Sequence, residues 1–92
     1  MGYNWLPKLL AILTDLEPYE VMQGLQRPRR RPQPMHDQFG NRYLAIHTRT
    51  DAGRPIVVTV RLTGGFDATI IGARPMTPAE TAHLEQWEQD HE

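Results

Sequence analysis

Apolar positions recur at helical spacing in the first quarter of the chain and alternate with polar ones through the second half. In "WLPKLLAILTDL" (residues 5–16), Trp5, Leu9, Ile12 and Leu16 share one side of a 3.6-residue period. Pro7 is tolerable there only in a first turn, so the pattern predicts a helix. "EPYEVMQGLQ" (residues 17–26) predicts a second, short helix, with Pro18 near its start and Tyr19, Met22 and Leu25 on one side. Gly24 is a poor residue for its interior. The period then changes to two. "RYLAIHTRT" (42–50) sets Leu44 and Ile46 against Tyr43, His47 and Arg49; "RPIVVTVRL" (54–62) sets Ile56, Val58, Val60 and Leu62 against Thr59 and Arg61. "DAG" and "TGG" supply turns, and "FDATIIGAR" (66–74) predicts a third strand.

A last helix opens at "TPAE", where Thr77 caps, Pro78 fits the first position and Glu80 completes a capping box. Leu84 and Trp87 give it a narrow apolar stripe, which predicts loose docking. The element order is α-α-β-β-β-α. It predicts an α+β fold in one domain, residues 1–92, with two N-terminal helices on one face of an antiparallel three- to four-stranded sheet and a helix after it.

Between the second helix and the first strand lies "RPRRRPQP" (27–34), four arginines and three prolines. Proline disfavours regular pairing, so an exposed, extended loop is expected. It is either a solvated linker or a phosphate-touching loop built on Arg29, Arg30 and Arg31.

Charge sharpens this picture. The net charge is −1, but residues 27–74 hold nine arginines against three aspartates, while residues 75–92 hold five acids and no Lys or Arg. A basic middle made wholly of arginine suits an anionic partner and forked phosphate contacts. The absence of cysteine excludes disulfides and thiolate zinc sites and fits a reducing cytosol. No run is long enough to span a bilayer and no signal-peptide pattern is present, so a soluble, cytoplasmic protein without a membrane partner is expected.

With the apolar face inward, Tyr43, His47, Arg49, Thr59 and Arg61 turn outward together. Arg74 ends the third strand and Arg54 flanks a turn. That set suits RNA cleavage without a metal or other cofactor. An imidazole serves as base or acid toward the 2′-hydroxyl or the leaving oxygen. Preorganised guanidiniums stabilise the crowded phosphorus, and a phenol stacks on a base or donates a proton. Each residue also has a plain explanation. His47 is an ordinary half-exposed strand histidine, Arg49 and Arg61 pair with nearby aspartates, and Arg74 binds a carboxylate of the last helix. The remaining histidines lack metal-ligand spacing, His83 and His91 being eight apart on a helix.

Three stretches resemble the BrnT-type toxins of bacterial type II toxin–antitoxin systems, within the broad RelE-like fold. They are "LTDLEPYEVMQGL", "GRPIVVTVR" (residues 53–61) and, most tellingly, "ATIIGARPMTPAE" (residues 68–80). The resemblance implies a metal-independent ribonuclease that inhibits translation. It also implies a cognate antitoxin, usually encoded beside it, and hence a toxin–antitoxin hetero-oligomer or a homo-oligomer. The family's arginines fall on Arg61 and Arg74. Two departures stand out: Asp15, Leu16 and Glu17 occupy the place of a Lys-His-Gly segment, and "MTPAE" replaces an arginine-rich helix start. They raise a second expectation, a non-catalytic module that binds nucleic acid or protein through the same basic face, and a third, a structural subunit paired with an acidic partner.

Overall fold

The computed structural model describes residues 2–9, 13, 15–64 and 67–90. Among them the element order is β1 (Gly2–Trp5), α1 (Pro18–Gln26), β2 (Arg31–His36), β3 (Arg42–Arg49), β4 (Pro55–Gly64), β5 (Asp67–Pro75) and α2 (Pro78–Asp90). The strands form one sheet in the order β1-β5-β4-β3-β2. β1 runs parallel to β5 and the other pairs are antiparallel, so the sheet is mixed.

This corrects the expected architecture at three points. Trp5, assigned to a first helix, ends an edge strand, and the amide of Leu6 continues its pairing by donating to the Ile70 carbonyl at 3.1 Å. Ile12, from the middle of that helix, lies outside the described residues; Leu9 and Leu16 are buried in the core. The second point is the arginine–proline segment. Its later part is strand β2, with Arg31 opposite His47 and Pro34 opposite Leu44. Pro32 and Pro34 alternate, so both missing N–H groups lie on the same side of the strand, a pattern an edge strand accommodates. The third point is the layering: among the described residues one helix lies on each face of a five-stranded sheet.

The first face carries the main core. Ile46, Ile56, Val58, Val60, Ala68 and Ile70 pack against Val21 and Leu25 of α1. Each such burial of a Val, Leu or Ile stabilises by roughly 1.5–3 kcal/mol. Of the side expected from the sequence, α1 buries Leu25 and packs Met22 against the core, but Tyr19 is 63% exposed and Val21 and Gly24 face the core instead. Gly24 is the reason. A β-carbon there would stand 2.7 Å from Thr48 Cγ2 and 3.0 Å from Ile56 Cδ1. Thr48 is buried and its hydroxyl donates to the Gly24 carbonyl at 3.0 Å, so its stiff side chain has no easy retreat. Gly24→Ala is therefore expected to lower stability by about 1 kcal/mol. Overpacking at about 1–3 kcal/mol outweighs the gain of about 1 kcal/mol in helix propensity. Urea unfolding checks this, and a stabilised variant would contradict the close approach.

The pairing of β4 with β5 contains a one-residue bulge that decides where Arg74 points. Val60 pairs with Ile70, but Thr59 pairs with Gly72, leaving Ile71 without a partner. Strict alternation from buried Ile70 would put Arg74 on the core face. The extra residue reverses the parity: Ala73 packs on the core, and Arg74 stands opposite Val57 on the other face.

Candidate functional site

The second face is organised by register. Arg31, His47, Val57 and Arg74 form one cross-strand row; Gln33, Ala45, Thr59 and Gly72 the next; Met35, Tyr43, Arg61 and Thr69 a third. Rows lie two residues, or roughly 6.6 Å, apart along the strands. α2 lies over the first rows. Its start is fixed by a reciprocal cap: the Glu80 amide donates to Thr77 Oγ1 at 3.2 Å, and the Thr77 amide to Glu80 Oε1 at 3.0 Å. Leu84 anchors it at 1% exposure, and Ala45 and Val57 on the sheet are buried as well.

Between α2 and the sheet remains a hollow of about 390 Å³, lined by Gln33, Met35, Tyr43, Ala45, His47, Val57, Thr59, Arg74, Glu80 and His83. It brings together His47, Tyr43 and Arg74 from the expected site. It adds His83, which the sequence reading placed on a helix and weighed only as a metal ligand. Glu80, Leu84 and Trp87 recur at helical spacing, and His83 is one residue from that stripe. The signal was present but needed the docking face of α2 to be known.

The environment of His47 is distinctive. Its Nδ1 is buried and has no hydrogen-bond partner among the described residues. Burial pushes its pKa below the ordinary imidazole value; Glu80 opposes the shift, while Arg31, Arg74 and His83 add to it. A neutral imidazole at neutral pH is a competent proton acceptor.

Both expected arginines nearest α2 are engaged by it. Arg74 forks onto Glu80, with Nη1 to Oε1 at 2.6 Å and Nη2 to Oε2 at 2.8 Å. Arg49 donates to Glu88 through Nε at 3.1 Å and Nη2 at 2.9 Å. These hydrogen bonds hold the Glu88 carboxyl below its usual range and raise both arginines. An incoming phosphate must exchange with these carboxylates.

The remaining expected residues are spread around this centre. Arg61 is exposed in the third row, two rows and roughly 13 Å along the strand from the row of Arg74. The two arginines share a face but stand two rows apart on it. Arg54 turns to α1 and pairs with Glu20 at 3.5 Å. Arg30 donates to the Arg27 carbonyl at 2.9 Å, and Arg29 donates to the Glu88 carbonyl. Arg31 sits opposite His47 on β2. No group of three or more metal-ligating side chains gathers among the described residues, and no helix there is long and apolar enough to cross a membrane.

Glu80 gives the site a pH signature. The Arg74 fork and then the Thr77 amide hold its carboxyl down to about 2, from an ordinary 4.5. A depressed carboxyl stabilises the fold fully above its ordinary pKa and loses that contribution as pH falls toward about 2. Because the Arg74 side chain is 54% exposed, the contribution is about 1 kcal/mol or less. Glu80→Gln is expected to lower the melting temperature by a few degrees at pH 6 and to match the wild type near pH 2. Equal melting at both pH values would show the pair to be energetically silent.

A scan of protein-family models and a search of curated proteins find no match to this chain.

Proposed function

We propose that the protein is the toxin of a type II toxin–antitoxin pair and acts as a metal-independent ribonuclease. The observation that carries this reading is the convergence of two imidazoles, a phenol and a guanidinium on one hollow, with His47 shifted toward its neutral form. The BrnT-like stretches at residues 53–61 and 68–80 support it, since they build β4 and the β5–α2 junction on which Arg74 and Glu80 stand.

In this reading neutral His47 takes the proton of an RNA 2′-hydroxyl. The 2′-oxygen bonds to the adjacent phosphorus, the bond from phosphorus to the 5′-oxygen breaks, and His83 returns a proton to that leaving oxygen. Arg74, exchanged from Glu80 onto the phosphate, stabilises the charge of the pentacoordinate centre. The products are a 2′,3′-cyclic phosphate and a 5′-hydroxyl. Tyr43 flanks the hollow as a stacking surface. The partners are RNA and an antitoxin encoded alongside, which would cover this face.

The test is incubation of purified protein with RNA in EDTA, followed by end-group identification. Cyclic-phosphate ends in the presence of chelator are expected; intact RNA would overturn the reading. One observation favours a second reading, a non-catalytic binding module: Arg49 and Arg74 are already neutralised by Glu88 and Glu80. Its signature is RNA binding that weakens steeply with salt and leaves the RNA uncut.

A further inference from the structure

A second recess adjoins the hollow and shares His83 with it. It measures about 290 Å³ and is lined by Arg31, His83, Gln86, Trp87 and Asp90. Arg31 also stands in the same row as His47, so the recess opens beside the proposed reacting phosphate. Its size is at the small end of ligand sites and suits one base rather than a dinucleotide. We propose that this recess is a nucleobase subsite selective for guanine, occupied by the base next to the scissile phosphate. The proposal deepens the ribonuclease reading and rests on it for the presence of RNA there.

The lining matches a base in kind. A half-buried indole offers a stacking plane, and every base has a complementary face. Selectivity comes from the polar groups around that plane. Gln86 Nε2 donates to Asp90 Oδ1 at 3.2 Å and Oδ2 at 3.4 Å, one helical turn away, and both side chains line the recess. Guanine presents two adjacent donors, N1–H and N2–H, that a carboxylate accepts as a pair. Its O6 and N7 are acceptors suited to a guanidinium, here Arg31. Adenine would set its N1 lone pair against the carboxylate. Cytosine offers a single donor beside an acceptor, and uracil a single donor between two acceptors, so neither satisfies both carboxylate oxygens.

The experiment uses the whole chain labelled with ¹⁵N and follows its two tryptophan indole resonances during titration with 5′-GMP, 5′-AMP, 5′-CMP and 5′-UMP. The phosphate is common to all four, so differences report the base. The Trp87 resonance is expected to shift and saturate with GMP at the lowest concentration, while that of Trp5 stays still. Asp90→Asn is expected to weaken GMP about tenfold and leave AMP nearly unchanged, the size typical of a lost bidentate base contact. Asp90 is exposed, so the variant keeps its fold. Equal binding of all four nucleotides, a still Trp87 resonance, or unchanged preference in Asp90→Asn would each overturn the subsite. The parallel EDTA cleavage assay separates the two ideas. Guanine preference without cleavage sinks the nuclease reading alone, and cleavage without preference sinks the subsite alone.

Discussion

Replacing His47 by asparagine is expected to slow RNA cleavage by about 10²- to 10⁴-fold, the range for removing a positioned general base. The melting temperature should change little, since the Nδ1 of His47 makes no hydrogen bond to another described residue. The same group fixes the pH profile. Burial lowers its pKa, so the acidic limb of kcat/KM should fall below the ordinary imidazole value. Glu80 pulls in the other direction, so Glu80→Gln should move that limb to still lower pH. Full cleavage by His47→Asn, or a limb unmoved by Glu80→Gln, would remove His47 from the proton-transfer role. The two variants need only steady-state rates across pH and a melting curve.

Leu84→Ala is expected to cost about 2–5 kcal/mol, a large part of the roughly 5–15 kcal/mol that a small domain holds in total. The expectation follows from how little else fastens α2 by apolar contact. Leu84 is its one fully buried residue, and Trp87 is only half-buried. The ion pairs Arg74–Glu80 and Arg49–Glu88 are partly exposed, and such pairs contribute about 0–1 kcal/mol each. Truncation should lower the thermal midpoint by about 10 °C or more. It should also speed amide exchange in α2 more than in β3 and β4, because the main core lies on the opposite face. A loss below about 0.5 kcal/mol would mean that α2 is held by its charges and not by this side chain.

The strands read most clearly from the sequence were those with one face in the core. Leu44 and Ile46 in β3, and Ile56, Val58 and Val60 in β4, alternate because the register admits no other side. β1 left no trace: Gly2–Trp5 is too short to show a period, and its partner β5 is distant in the chain. β2 was hidden by Pro32 and Pro34, which argue against a strand everywhere except at an edge. In α1 the helix was legible and Met22 and Leu25 marked its buried side, but Tyr19 was misplaced there and Gly24 was missed, because a glycine at a close approach carries no hydrophobic signal. The site divided in the same way. Tyr43 and His47 followed from alternation on β3. The pairing of Arg74 with a carboxylate of the last helix followed from that helix's acidity, whereas the turn of Arg49 to Glu88 rather than to a nearby aspartate, and the arrival of His83, depend on where α2 docks, which no local pattern encodes.

The unpaired Ile71 makes β5 sensitive to length in a way it is not to composition. Losing one residue between Ile70 and Ala73 would close the bulge and leave both faces as they are, whereas losing both Ile71 and Gly72 would trade the places of a methyl group and a guanidinium and drive a charge into the apolar layer. Related chains under selection for this surface should therefore tolerate a gap of one residue in that short span, while a gap of two would mark a sequence whose arginine has changed employment.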